Sequence, residues 1–171
     1  MRRRRTRGEV LIDFTENGSS AQGNLMYEAN PGGAPCNVLA MLQKFGHKTA
    51  FFLFTGIRGA DMMLRTEELQ EQILKDTRII HFGTLSMTGK PVRSATRHAI
   101  ETAKVNGALL SFDPNIREPL WQSMEEAKRQ TAYGMEVCDV LKISDNEIRW
   151  FTGEEDFDRG VDKLWREYHI P

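Results

Sequence analysis

The sequence predicts an α/β protein built on a mainly parallel sheet flanked by helices. Short apolar runs alternate with longer segments of helical periodicity, which is typical of strands connected by helices. The runs are continuously apolar rather than alternating, as expected of strands that are buried on both faces. The chain has 171 residues, of which 40% are apolar and 27% charged. That composition is typical of one globular domain.

The predicted strands are short and follow one another through the whole chain. Asp13 comes directly after the first apolar run, so we expect it at the end of that strand, where ligands of parallel sheets gather. The five runs cover residues 10–12, 49–54, 79–82, 108–112 and 137–143.

The predicted helices fall between these runs. Gly46 and Gly107 each follow a helical segment, at the position where a helix end favours a residue with positive φ. Pro91 suits a first helical turn. The helical segments cover residues 38–45, 64–74, 91–106 and 157–168.

Charge and cysteine content narrow the function classes. The net charge is −1, and the five arginines among the first seven residues leave the rest of the chain at −6. We interpret that tract as a solvated or misassigned start rather than an arm for phosphate backbones, and expect no nucleic-acid partner. No apolar run approaches the ~20 residues of a membrane span, so no membrane partner is expected. Cys36 and Cys138, as lone thiols, indicate a cytoplasmic location.

Two local motifs carry candidate chemistry. Gly32 and Gly33 precede the helix at residues 38–45, and paired glycines let the backbone approach a ligand closely, although a plain loop is the alternative. Ser144 and Glu147 have the Ser-x-x-Glu spacing of a capping box before an apolar run. The sequence contains no G-x-x-x-x-G-K-[ST] motif, which excludes a P-loop nucleotide site.

Seven ordered motifs make the chain resemble the PfkB/ribokinase-family carbohydrate kinases. The likeness is greatest to bacterial fructokinases and extends over nearly the whole chain after Gly8. The motifs are GEVLIDF at residues 8–14, GGAPCN at 32–37, GHKTA at 46–50, GADM at 59–62, HFGTLS at 81–86, FDPNIR at 112–117 and LKISDNE at 141–147.

The resemblance implies a doubly wound, ribokinase-like sheet with a reduced β lid, in one partial domain over residues 1–171. Residues 14–31 would be the remnant of the lid, through which a homodimer is expected. The implied activity is ATP-dependent phosphorylation of a sugar, of the fructokinase type (fructose to fructose 6-phosphate). Its cofactors would be ATP and Mg²⁺, and its small-molecule partners a sugar and a nucleotide.

The resemblance also assigns the candidate site residues. Asp13 would accept hydrogen bonds from sugar hydroxyls, unless it only begins a turn. Arg117 would pair with phosphate or substrate, a surface salt bridge being the alternative. No residue is expected to bind the metal directly, since Glu147 would act through water. The substrate-binding candidates are Asp13, Gly32, Gly33, Asn37, Asn115 and Arg117, and those associated with phosphate and Mg²⁺ are Lys142, Ser144 and Glu147.

The sequence departs from the family pattern in three places. Ser144 replaces the asparagine of the family's Asn-x-x-Glu motif. Much of the lid and one helix are missing between Phe51 and Gly59. The Gly-Ala-Gly-Asp motif, which would supply the anion hole and the catalytic aspartate, does not occur, and Asp61 belongs to a different segment. We therefore expect no catalytic residue in this chain. The alternatives are an inactive sugar-binding or interaction module and an incomplete fragment of a kinase.

Overall fold

The computed structural model describes residues 6–8, 11–32, 40–46, 51–53 and 60–170. In the described part the strands are β1 (Thr6–Gly8), β2 (Leu11–Ser19), β3 (Leu25–Gly32), β4 (Phe51–Leu53), β5 (Ile79–Gly83), β6 (Leu109–Asp113) and β7 (Val140–Leu141). The α-helices with assigned bounds are α1 (Glu71–Lys75), α2 (Val92–Val105), α3 (Met124–Val137), α4 (Asp145–Thr152) and α5 (Phe157–Tyr168).

The centre of the fold is a parallel sheet with the strand order β5-β6-β7. Ile79 pairs with Leu109, and Ser111 pairs with Val140. These strands confirm the second half of the predicted α/β pattern. The predicted run at residues 137–143 was too long, because Val137 still belongs to α3 and the strand holds only two residues.

The amino-terminal strands differ from the prediction. β1 and β4 form a parallel pair, but β2 and β3 form an antiparallel ribbon. Asp13 therefore does not end a strand: it lies near the start of β2 and pairs with Asn30. The apolar run of residues 10–12 gave no sign that the strand continues through polar residues to Ser19. Polar residues are tolerated in this strand because residues 16–19 and 21–28 are exposed, so their side chains keep their contact with water.

A compact turn closes the ribbon over residues 20–24. The Ser20 N–H donates to the Asn24 carbonyl at 2.7 Å, and the Gly23 N–H donates to the Ser20 carbonyl at 2.9 Å. Gly23 has a φ of 80°, which a residue with a side chain rarely adopts. The turn is exposed except for the half-buried Ser20 and satisfies its own backbone groups.

The core lies between the central sheet and helices α2 and α3. Phe82 and Phe112, on neighbouring strands, stack with ring centroids 4.9 Å apart. Ala99 of α2 and Met135 of α3 belong to the same fully buried cluster. Burial of these aromatic rings in the cluster stabilises the packing of the sheet against the helices.

The other residues of the same strands are less covered. Leu109 alternates with the buried Leu110 and is 53% exposed, and Val140 of β7 is 52% exposed. The single helix predicted at residues 64–74 is instead divided into two short segments. A 3₁₀ turn at Thr66–Glu68 precedes α1, because the Glu68 carboxylate accepts the Arg65 N–H at 2.8 Å and begins a new turn there.

The remaining predicted helices are confirmed where the structure describes them. Residues 40–44 are helical, and Gly46 has a φ of 78°. Gly107, also at 78°, follows α2. None of the helices that the structure describes is both long and apolar enough to cross a membrane.

Candidate functional site

The carboxyl ends of β5, β6 and β7 lie at one edge of the central sheet, since the three strands are parallel. Each strand leads directly into a segment that the sequence analysis singled out. β5 ends at Gly83, β6 leads into residues 114–117, and β7 leads into residues 142–147. Ligands of open α/β sheets bind outside such strand ends.

Gly83 allows the first two strand ends to approach closely. A Cβ atom at this position would lie 2.6 Å from the Asp113 carbonyl oxygen, which is too short for any side chain. Directly after it, Thr84 donates twice to the carbonyl oxygen of Pro114. The Thr84 N–H donates at 3.2 Å and its hydroxyl donates at 2.6 Å. The end of β5 is thereby fixed to the turn that follows β6.

That turn brings the backbone of Ile116 to Glu147. Asn115 has a φ of 45°, in the left-handed region that residues other than glycine seldom occupy. The next residue, Ile116, donates its N–H to Glu147 Oε1 at 3.0 Å. Arg117 is exposed and donates from Nη1 to the Ile116 carbonyl at 3.2 Å. The predicted candidates Asn115 and Arg117 thus flank a residue that contacts Glu147 through its backbone.

Glu147 is held at the start of α4 by the predicted capping box. Its Oε2 accepts the Ser144 N–H at 3.0 Å and the Ser144 hydroxyl at 2.7 Å, and Ser144 Oγ accepts the Glu147 N–H. Half-burial alone would raise the pKa of Glu147. The hydrogen bonds from Ser144 and Ile116, with the charge of Lys142, outweigh that effect and hold the pKa below its ordinary value.

Glu147 retains room for one further hydrogen bond. A carboxylate offers about four acceptor positions. Ile116 and Ser144 supply three donors to it. An ionised glutamate in this arrangement can accept one more donor, such as a water molecule.

Lys142 and Asp113 form an ion pair at the same strand ends. Lys142 Nζ lies 3.0 Å from Asp113 Oδ2, and the lysine side chain is 68% exposed whereas the aspartate is 21% exposed. Asp113 Oδ1 is buried and has no hydrogen-bond partner within the described residues. Beneath them, His81 Nδ1 lies 3.0 Å from Ser111 Oγ. Burial lowers the pKa of His81, and Lys142 lowers it further against the opposing effect of Asp113.

The structure therefore brings together five of the nine predicted site residues. These five are Asn115, Arg117, Lys142, Ser144 and Glu147. For Asp13 and Gly32 it describes the backbone, on β2 and at the end of β3. Gly33 and Asn37 lie outside the described residues. The roles of all nine remain predictions.

The sequence analysis missed the part that Thr84 plays in this arrangement. Thr84 was only one residue of the motif at residues 81–86, with no assigned role. Its position directly after a strand-ending glycine was the available signal, because such a residue faces the strand ends. Among the residues that the structure describes, no three His, Cys, Asp or Glu side chains converge as metal ligands.

Comparison with known proteins identifies the family. The model of the pfkB family carbohydrate kinases matches residues 56–165. The chain therefore belongs to the pfkB carbohydrate kinase family, as the seven motifs predicted. It is 33% identical to probable fructokinase-2 of Arabidopsis thaliana, in a match that covers 88% of this chain and 61% of that protein. It is 32% identical to fructokinase-2 of Solanum lycopersicum, over 92% of this chain and 64% of that protein.

Solved structures confirm the fold. The apo fructokinase of Vibrio cholerae O395 matches with a TM-score of 0.79 at 22% identity, over 98% of this chain and 72% of that one. The ATP-bound fructokinase of Xylella fastidiosa matches with a TM-score of 0.77 at 22% identity, over 97% and 69% of the two chains. The chain thus has the α/β fold of these kinases but spans only about 61% of the length of the Arabidopsis relative.

Proposed function

We propose that this chain carries the sugar-facing part of an ATP-dependent sugar kinase that converts fructose to fructose 6-phosphate. One observation carries the proposal beyond family membership. At the strand ends, Glu147 is ionised and has one acceptor position left, beside the cation of Lys142. Phosphoryl transfer depends mainly on positioning and on charge stabilisation, and this arrangement offers both.

The residues present fit a hydrated metal and a phosphate. Glu147 and the buried Asp113 Oδ1 are acceptors, which suit the hydrogens of metal-bound water or of a sugar hydroxyl. Lys142 is a cation with three donor positions and suits a phosphate oxygen. When bound, ATP would supply the transferred phosphoryl group and Mg²⁺ would neutralise its charge. Glu147 would hold a water of the metal, and Lys142 would face the phosphates.

Fructose is proposed as the substrate on two grounds. The curated relatives named above are fructokinases. The residues proposed to bind it, Asp13, Gly32, Gly33, Asn37 and Asn115, offer hydroxyl acceptors, amide donors and close backbone approach. Arg117 is proposed to pair with phosphate through its planar guanidinium group. A double mutant of the Vibrio cholerae fructokinase, solved with fructose, ADP and potassium ion bound, holds a sugar and a nucleotide together in a protein of this fold.

A coupled assay of the purified chain tests the proposal. Fructose, ribose, ketodeoxygluconate and adenosine would each be supplied with MgATP, and ADP production would be measured. Because the sequence has no Gly-Ala-Gly-Asp motif, turnover by this chain alone should be low. The turnover that is measured should be greatest with fructose, and Glu147→Gln should reduce it. Phosphorylation of adenosine but of none of the sugars would contradict the substrate class.

A second candidate function is sugar binding without catalysis. The observation in its favour is that the 171 residues contain no Gly-Ala-Gly-Asp sequence. It predicts that fructose raises the melting temperature without ADP production. A ligand at 100 times its Kd adds ~2.7 kcal/mol to the free energy of unfolding, which a melting experiment detects easily. Turnover of fructose without a sugar-induced shift would exclude this second function.

A further inference from the structure

Thr84 lies outside the candidate site around Glu147 but is joined by hydrogen bonds to the turn that contacts this glutamate. The residue is fully buried, with 0% of its surface exposed. Both of its donors, the N–H and the hydroxyl, converge on one acceptor, the carbonyl oxygen of Pro114. The hydroxyl bond is the shorter of the two at 2.6 Å. A buried carbonyl with two donors from one residue cannot shift without breaking both hydrogen bonds.

The Pro114 carbonyl lies at the start of the turn that donates a hydrogen bond to Glu147. Pro114 is followed by Asn115, whose backbone lies in the left-handed region, which residues other than glycine and asparagine seldom adopt. One residue later, the Ile116 N–H donates to Glu147 Oε1. A short covalent path thus joins the carbonyl that Thr84 holds to the amide that orients Glu147.

We propose that Thr84 is a positioning residue for Glu147, acting through the turn from Pro114 to Ile116. Its hydroxyl holds the Pro114 carbonyl, which keeps Asn115 in its left-handed conformation and directs the Ile116 N–H at the glutamate. The role of Glu147 toward phosphate rests on the proposed function, whereas the linkage from Thr84 to Ile116 rests on the geometry alone.

Thr131 provides a matched control. It is also a buried threonine, 1% exposed, and its hydroxyl donates to the Ala127 carbonyl at 2.9 Å inside α3. Replacing either threonine by valine removes one buried hydroxyl and keeps the shape of the side chain. The two variants therefore differ in whether the lost hydrogen bond belongs to the turn.

Amide hydrogen exchange of the whole chain tests the proposal. Thr84→Val should speed exchange of the Ile116 N–H, relative to the amides of β6, by roughly fivefold, the effect of losing one hydrogen bond. Thr84→Ser, which keeps the hydroxyl, should restore most of the protection. Thr131→Val should leave unchanged the ratio of the Ile116 exchange rate to the exchange rates of the β6 amides. An unchanged Ile116 ratio in Thr84→Val, or the same increase in Thr131→Val, would overturn the proposal.

A second pair of variants covers the case in which Thr84→Val does not fold. Thr84→Ser and Thr84→Ala both lose the γ-methyl group and differ only in the hydroxyl, so Ile116 should exchange faster in the alanine variant. Equal exchange in the two would overturn the proposal. Neither measurement needs sugar or nucleotide. If the unaltered chain phosphorylates adenosine but none of the sugars, the proposed substrate class fails while the exchange result still decides the role of Thr84.

Discussion

The ring of Phe112 occupies the space in which a side chain at Gly134 would begin. A Cβ atom on Gly134 would lie 2.3 Å from Phe112 Cζ, and two further ring carbons would be within 2.6 Å of it. Phe112 is fully buried and stacks on Phe82, so its ring has no room to move away. The glycine therefore sets how closely α3 approaches β6.

Gly134→Ala should lower the free energy of unfolding by about 2 kcal/mol. Alanine improves helix propensity by roughly 1 kcal/mol, but inserting a methyl group into a filled core costs about 1–3 kcal/mol, and a separation of only 2.3 Å from Phe112 Cζ places the cost here near the upper value. Urea denaturation would measure the change. Gly89→Ala is the control, because its added Cβ would only reach ordinary contact with Met62 Cε at 3.7 Å. Equal stability of the two variants would show that the core accommodates the methyl group.

Ser144→Ala should weaken the protein mainly at neutral pH. Losing a serine N-cap costs about 1 kcal/mol. The folded-state pKa of Glu147 lies below its ordinary value of 4.5, so Glu147 contributes stability above that pH and loses it as the pH falls through the folded value. The variant removes a hydrogen bond that lowers this pKa. Thermal unfolding from pH 3 to 7 should therefore show a larger loss at pH 7 than at pH 3.

Glu147→Gln serves as the companion to this experiment. The glutamine side chain does not titrate, so the part of the pH dependence of stability that comes from Glu147 should disappear. If Glu147→Gln kept the full pH dependence of the unaltered chain, the stabilising role assigned to the ionised carboxylate would be wrong.

Cys138 should resist alkylation in the folded protein. The residue is 6% exposed, and burial, aided by the charge of Asp139, raises the pKa of its thiol to about 11. The thiolate is the reactive form, so at pH 8 its fraction should be about a hundredfold below that of an ordinary thiol. Iodoacetamide labelling followed by peptide mass spectrometry would measure the rate. Fast labelling without denaturant would contradict the buried position, and labelling in urea provides the control.

Asp13→Asn should weaken fructose binding by roughly 10- to 100-fold. The change removes a charged acceptor, and hydrogen bonds to charged groups contribute about 1.5–3 kcal/mol. Asp61→Asn, in the 3₁₀ turn Ala60–Met63, is the matched control and should change the affinity little. Calorimetric titration would compare both with the unaltered chain. A larger loss at Asp61 would mean that the sugar site is elsewhere.

Sequence patterns predicted the central part of the fold well, for physical reasons. The strands at Ile79–Gly83 and Leu109–Asp113 are short apolar runs buried against helices, and the capping box of Ser144 and Glu147 is a local motif. Each depends on neighbouring residues alone. The apolar runs did not predict the full length of β2, because this strand is largely polar and only its pairing with β3 reveals it as a strand.

The arrangement of the candidate site was harder to predict. The motifs indicated Asn115, Arg117 and Glu147 as candidates. They did not indicate that the backbone of Ile116 contacts Glu147, or that Thr84 fixes the turn, since both contacts join residues about 30 positions apart. Backbone donors leave no signature in residue identity, because every residue except proline has one.

The turn at residues 20–24 is a position at which additional residues can be inserted into this chain. It closes its own hydrogen bonds through Ser20 and Asn24 and, apart from the half-buried Ser20, lies in solvent. Exposed loop tips of this kind tolerate inserted sequence, because lengthening them breaks no packing and adds little closure entropy. An affinity tag or a fluorescent reporter placed between Gln22 and Gly23 would therefore leave the sheet and its strand ends as they are.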